Sequence, residues 1–268
     1  MRKQLRDFLM KTVGGRKIFQ KIFENLFYLS SYGMNFGYLY DFNKNGERLV
    51  VRKLKEYFRF RQPAVIFDVG ANVGDYSSML LHEFTDVYVK LFAFEPSKSS
   101  FIALKHNIGY RADLFNIGFS NKKENKFLYS QCECSGQASL YKRNLLEYGV
   151  EMNNKEKITL DTIDNFCNRH HIENIDFLKI DVEGHELKVL QGAKGMIAKD
   201  LIDIIQFETG CNSDTGDYFK DFFYLLNTRY KIYRILRDGL VEIKKYHWLN
   251  EISSGANYLA VRRRIKND

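Results

Sequence analysis

The sequence predicts an α/β fold: an open, mostly parallel sheet with helices on both faces. Three observations carry that reading. Short apolar, partly β-branched runs alternate with segments of helical periodicity from residue 63 onwards. The first run, Ala64–Phe67, passes through Asp68 into a turn framed by Gly70 and Gly74, and a helix follows from Asp75, with Tyr76, Met79, Leu80 and Phe84 at helical spacing. The main strands that end in a polar residue end in a carboxylate: Asp68, Glu95, Asp181 and Glu208. In a parallel sheet the carboxyl ends share one rim, so these four acids are expected to converge on one crevice, where open α/β sheets bind ligands.

Taken in order, residues 1–60 read as a helical extension and 61–268 as the α/β domain. Leu5, Phe8, Leu9 and Val13, then Phe19, Ile22, Phe23, Leu26 and Phe27, fall at helical spacing on either side of Gly14-Gly15. Basic residues dominate the polar faces. Such a pair either lies on an anionic membrane, through residues 1–27, or packs its apolar stripe on its own domain. Asn43-Lys44-Asn45-Gly46 marks a turn and Glu47–Phe60 a further helix. Beyond the glycine turn come a strand at Val89–Phe94, a helix at Ser99–Asn107 with Ser97 in N-cap position, and a third strand at Ala112–Ile117. Lys126–Ser130 reads as an edge strand and 131–157 as a long loop or lid. Then follow Ile158–Leu160 (strand), Thr162–Arg169 (helix), Ile175–Ile180 (strand), His185–Ala198 (helix), Leu201–Phe207 (strand) and Tyr218–Leu226 (helix). Tyr230–Leu236, Leu240–Lys244 and Ala256–Arg262 close the chain as a hairpin-like antiparallel edge.

At 268 residues the chain has room for one domain, or one with an appendage. The net charge of +8 fits an anionic partner, or simply a surface with spare lysines. Four cysteines are too few for a disulfide framework, and Cys132-Glu-Cys134 lacks partners at zinc spacing, so free thiols are expected. The amino terminus shows neither a signal-peptide core nor a bilayer-spanning run, which points to a reducing cytoplasm.

Two stretches carry the chemistry. The spacing Asp68-x-Gly70-x-x-x-Gly74 is not the dinucleotide fingerprint, and a carboxylate beside the turn would repel a pyrophosphate. It suits a ligand with an ammonium group, such as S-adenosylmethionine (SAM). Glu95, at the next strand end, stands where an acid accepts both hydroxyls of a ribose. The second stretch is Phe177-Leu-Lys-Ile-Asp-Val-Glu-Gly-His-Glu186, which places Asp181, Glu183, His185 and Glu186 at a strand-to-helix junction. A histidine at a helix N-terminus is disfavoured as imidazolium, so His185 can serve as a neutral general base; the bland alternative is a solvated first-turn residue.

Phe67-Asp-Val-Gly-Ala-Asn-Val-Gly74, Phe94-Glu-Pro96, Thr159-Leu-Asp-Thr162, Lys179-Ile-Asp-Val-Glu-Gly-His-Glu186, Val189-Leu-Gln-Gly-Ala193, Ile205-Gln-Phe-Glu208 and Asn257-Tyr-Leu-Ala260 together resemble the FkbM-type family of SAM-dependent methyltransferases over about residues 60–262. The resemblance implies a class I (Rossmann-like) methyltransferase fold, a seven-stranded sheet whose last strand is antiparallel, and methyl transfer to a hydroxyl of a sugar, glycan or related small molecule. It places the methionine end of SAM at Asp68, Gly70, Asn72 and Gly74 and the ribose at Glu95. The full candidate cofactor set is Asp68, Gly70, Asn72, Gly74, Asp75, Glu95, Ser97, Asn116 and Asp181; the candidate catalytic residues are Asp181, Glu183 and His185. A Mg²⁺ ion on Asp181 with Glu208 or Glu183 is a possible alternative to a base, but a metal-free route is favoured, and no metal ligand is assigned. A nucleic-acid acceptor is not expected, since no base-flipping motif of the Asn-Pro-Pro-Tyr kind appears. A nicotinamide oxidoreductase is disfavoured by Asp68, and a non-catalytic SAM-binding scaffold would need a broken loop or missing acids.

Overall fold

The computed structural model describes residues 2–37, 41–60, 63–142, 151–210, 215–251 and 255–263. Its frame is one large mixed sheet. The strands are β1 (Ala64–Val69), β2 (Val89–Phe94), β3 (Asp113–Phe115), β7 (Ile175–Ile180), β8 (Ile202–Thr209), β9 (Tyr230–Leu236), β10 (Gly239–Glu242) and β11 (Ala256–Arg262), ordered β10-β9-β11-β8-β7-β1-β2-β3. β3, β2, β1, β7 and β8 run parallel, and β11 lies antiparallel between β8 and β9. The sheet therefore has eight strands rather than the expected seven, because β10 adds a hairpin partner outside β9.

Alternating residues face opposite helical layers, as a pleated strand requires. Ala64, Ile66, Leu91, Phe177 and Ile204 pack with Tyr76, Met79 and Leu80 of α4 (Asp75–Glu83) and Val50, Val51, Leu54 and Phe58 of α3 (Glu47–Phe58). Phe67, Phe92, Phe94, Leu178, Ile180 and Phe207 face the other layer, formed by α6 (Ile163–His170), α7 (Glu186–Gly192), α8 (Lys194–Ala198) and α9 (Phe219–Leu226). α3 thus shares a core with the sheet. α5 (Lys98–Ile108) follows β2, and Ser97 takes its N-cap position without making a side-chain cap bond.

Two expected elements differ. The single helix at His185–Ala198 is broken at Ala193 into α7 and α8, because the chain turns where Asp164 accepts the backbone N–H groups of Gly195 and Met196. Part of the expected loop at 131–157 is sheet: β5 (Glu124–Ser130) pairs antiparallel with β6 (Asn154–Asp161), and with β4 (Gly118–Phe119) they make a second, three-stranded sheet. Residues 143–150 of that expected loop lie outside the described residues.

At the amino terminus α1 (Arg2–Thr12) and α2 (Gln20–Gly33) form as their periodicity predicts. Their apolar side chains are nevertheless exposed. Of α2 only Ser31 is buried, and the chain is anchored just beyond it, where Phe36 enters the core and Gly37 N–H donates to the Gly255 carbonyl at 2.8 Å.

Candidate active site

The carboxyl ends of β1, β2 and β7 open into a cleft of about 580 Å³, roofed by the small sheet. Its floor holds Gly70, Asn72, Glu95, Asp181, Glu183 and His185, and Leu128, Leu140, Ile158 and Leu160 form an apolar wall.

The glycine turn is built by close backbone approach. Gly70 has φ +85°, and a Cβ there would lie 1.8 Å from the Asp181 carbonyl oxygen, so only glycine lets β1 meet the end of β7. The N–H groups of Gly70 and Ala71 donate to the Phe94 carbonyl, that of Asn72 to Glu95 Oε2 (2.9 Å) and that of Gly74 to the Ala71 carbonyl. Four turn donors are committed internally, unlike a phosphate cradle, whose N–H groups point at the ligand.

Glu95 is almost fully buried and accepts one N–H on each oxygen, from Asn72 and from Ser97 (2.8 Å). Burial pushes its carboxyl up to about 7 against those two bonds. Each oxygen of an ionised carboxylate accepts more than one hydrogen bond, so capacity remains for a vicinal diol. Asn116 braces this corner by donating to the carbonyls of Glu95 (2.8 Å) and Pro96 (3.0 Å). Ser97 and Asn116 thus support Glu95 without lining the cleft themselves. Asp75 is exposed in the first turn of α4, where a carboxylate suits the helix dipole, and Gly74 also lies off the cleft wall.

The four strand-end acids do not all reach the crevice. On the pleated strand Asp68 shares the face of Ala64 and Ile66, so it faces the α4 layer, fully buried, accepting from Ser77 Oγ at 2.6 Å. In register beside it are Lys179 on β7 and then Gln206 on β8, a polar row across the sheet. Lys179 Nζ reaches Asp181 Oδ2 at 2.8 Å, and Gln206 Nε2 donates to Glu47 Oε1, at the start of α3, at 2.8 Å. Burial alone would lower the Lys179 ammonium, but Asp181, Glu47 and Asp68 hold it raised. Burial raises Asp68 and Glu47, with Lys179 opposing. Glu208 is half-buried and absent from the cleft wall; burial and its neighbours Asp181, Glu183, Glu186 and Glu47 push it well up.

His185 precedes α7 with both ring nitrogens engaged. Nδ1 is 3.1 Å from Tyr141 Oη, and Nε2 is 3.0 Å from Ser120 Oγ. Ser120 approaches because Gly192 offers no side chain; a Cβ there would sit 2.1 Å from the Ser120 carbonyl oxygen. His185 is buried, and desolvation, helped by Lys126 and Lys188, lowers it to about 4. The neutrality expected from the helix dipole is therefore present, with burial as its main cause. Glu186 clamps the 182–184 turn by accepting the N–H groups of Val182 and Gly184. Glu183 sits on the cleft wall at φ +55°, and its carbonyl accepts from Ser139 Oγ at 2.7 Å.

Sequence reasoning missed Lys179, Gln206, Glu47, Ser120 and Tyr141. Lys179 had a usable signal, a charge inside an otherwise apolar strand. Ser120 and Tyr141 lie 65 and 44 residues from His185, in segments without periodicity, and only the folded chain joins them. Among the described residues no group of three His, Cys, Asp or Glu side chains is arranged to hold a metal ion.

A sheet of this order, with its antiparallel strand inserted beside the last parallel one and a glycine turn between two strand-end acids, has the class I methyltransferase architecture. The chain belongs to the FkbM methyltransferase family, whose domain matches residues 68–234. It is 27% identical over 168 residues to the hexuronic acid methyltransferase AglP of Haloferax volcanii, covering 62% of this chain and 64% of that protein. It is 26% identical over 146 residues to the 2-O-methyltransferase NoeI of Sinorhizobium fredii, covering 50% and 59% respectively. The match thus spans less than two thirds of either relative's length. A crystal structure of methyltransferase FkbM from Methylobacillus flagellatus aligns with 74% of this chain and 43% of its own, at a TM-score of 0.47 and 15% identity.

Proposed function

We propose that this protein is a SAM-dependent O-methyltransferase acting on a hydroxyl of a sugar or glycan, a surface polysaccharide or its precursor being favoured. The observation that carries it is the cleft, in which a buried diol-accepting carboxylate, Glu95, and a second carboxylate, Asp181, stand on one floor beneath an apolar wall. Family membership and two curated relatives named as methyltransferases, one for a hexuronic acid and one for a 2-O position, support the acceptor class. The free thiols of Cys132, Cys134 and Cys167 fit a cytoplasmic setting, and among the described residues no helix is long and apolar enough to cross a membrane.

The residues fit SAM by their chemistry: acids face the cleft, the turn's donors are spent, and among the described residues no arginine or lysine lines the wall for a pyrophosphate. When bound, SAM supplies a sulfonium-activated methyl group. Glu95 would hold the ribose hydroxyls, Gly70 and Asn72 the amino-acid end, and the apolar wall of Leu128, Leu140, Ile158 and Leu160 would suit the base. A sugar hydroxyl is a weak acid, so a base must receive its proton as the new bond forms. Asp181 is the group placed for this, being on the cleft floor, partly exposed and held in orientation by Lys179 on Oδ2. Neutral His185 fixes Tyr141 and Ser120 and shapes the acceptor side of the same turn. The experiment is to incubate the protein with SAM and candidate glycans and follow a 14-dalton mass gain per acceptor, the mass of CH₂. Methylation of a sugar hydroxyl is expected; methylation of RNA alone would replace the reading with a nucleic-acid one.

A further inference from the structure

The amino-terminal helices carry an apolar surface that the described residues leave uncovered. On α2, Ile22, Leu26, Phe27 and Leu29 are 54%, 49%, 58% and 69% exposed, and Ile18 just before it is 78% exposed. Phe8 and Leu9 of α1 are likewise exposed. Ile22, Leu26 and Leu29 fall on one side of α2, at i, i+4 and i+7 spacing, as in helices that bury one face, and Phe23 and Phe27 widen that exposed apolar surface. Contiguous exposed apolar surface of this kind marks an interaction site.

Charge identifies the occupant. Residues 1–27 carry Arg2, Lys3, Arg6, Lys11, Arg16, Lys17 and Lys21 against Asp7 and Glu24 alone. Lys3, Arg6, Lys11, Arg16, Lys17 and Lys21 are exposed. On the helical wheel of α1, Arg6 and Lys11 flank opposite edges of the Phe8–Leu9 stripe, the placement from which long cationic side chains reach lipid headgroups while the stripe enters the acyl boundary. A second copy of the chain seated on the same face would bring two strongly basic segments together, whereas an anionic bilayer neutralises them. The pair is also tethered: beyond α2, Phe36 is buried, Asn35 Nδ2 donates to the carbonyls of Asn45 (3.1 Å) and Ile235 (3.0 Å), and Arg234 lies over the Phe36 ring. A surface gripped by α1 and α2 is therefore mechanically coupled to the β9 side of the sheet.

We infer that α1, α2 and the link between them form a docking surface for an anionic lipid bilayer, which holds the catalytic domain at the membrane face. The inference does not depend on the identity of the acceptor. Its test is flotation of the full chain with vesicles of phosphatidylcholine containing 30% phosphatidylglycerol, beside pure phosphatidylcholine vesicles, in about 50 mM and 500 mM salt. Co-flotation with the anionic vesicles at low salt is expected, and most of it is lost at high salt. The exposed-residue variant Ile22→Glu/Leu26→Glu/Phe27→Glu should lower the bound fraction at least ten-fold. Lys17→Glu/Lys21→Glu should lower it roughly five-fold or more per site. Calorimetric SAM affinity should be unchanged in both variants, which separates failure of this inference from failure of the methyltransferase reading. Equal binding to both vesicle types, or none to either, would overturn the inference. So would a dimer in sedimentation that the Ile22/Leu26/Phe27 variant dissolves, since the face would then belong to a second copy.

Discussion

Replacing Glu95 probes the cofactor reading most directly. Its two oxygens each accept one backbone N–H, from Asn72 and Ser97, so the side chain is fixed at the cleft with acceptor capacity to spare. A hydrogen bond to a charged acceptor contributes about 1.5–3 kcal/mol. Loss of even one to the ribose in Glu95→Ala should weaken SAM binding by roughly ten-fold or more. The acid also predicts a pH dependence. With its carboxyl at about 7 in the free protein, the ionised fraction falls from about nine tenths at pH 8 to about one tenth at pH 6. Ribose hydroxyls donate to the ionised form, so bound ligand lowers the carboxyl's pKa, and binding releases a proton. Affinity should therefore fall by roughly ten-fold from pH 8 to pH 6 in the wild type, and Glu95→Gln should flatten that profile. Isothermal calorimetry with SAM at pH 6, 7 and 8 measures both effects, with circular dichroism confirming that each variant is folded. A folded Glu95→Ala protein that binds SAM within two-fold of wild type would refute the assignment, and so would a wild-type affinity that does not change with pH.

Three further outcomes follow from the site and the polar row beside it. Asp181→Asn should lower turnover on an identified acceptor by about 10²–10⁴-fold, the usual worth of a general base, while SAM affinity stays nearly intact. His185→Ala should lower turnover less, because the buried imidazole at about 4 is a poor proton acceptor; if chelation silences the wild type and Mg²⁺ restores it, the metal alternative replaces the base, and if both variants keep full turnover the base lies elsewhere. Lys179→Met strands Asp68 and Glu47 as buried acids without their cation, and should cost about 3 kcal/mol in urea unfolding; Lys179→Met/Glu47→Gln should recover part of that loss, and a single-variant cost under about 1 kcal/mol would show that the acids are neutral in the fold.

The sequence by itself determined the sheet, the turn and the family. Periodicity two against 3.6 is local information, so the core strands, α4, α6 and the sites of Glu95 and Asp181 were legible from their own neighbours in the chain. Asp68 shows where that stops. A strand-end acid can face either side of the sheet, and Asp68 shares its pleat parity with Ala64 and Ile66, which pack against α4, so it faces that layer and not the cleft. Register across β1, β7 and β8 then decided that Asp68, Lys179 and Gln206 form one row, with Glu47 arriving from a helix more than a hundred residues away. The state of His185 is likewise tertiary: its type and place at a helix start were visible, but burial against Ser120 and Tyr141 made it a held, neutral ring. The same division holds at the amino terminus. Amphipathic spacing predicted α1 and α2, while only the fold shows that their apolar faces have no partner within the described chain. Pairing and burial are properties of residues distant in sequence, and no local pattern encodes them.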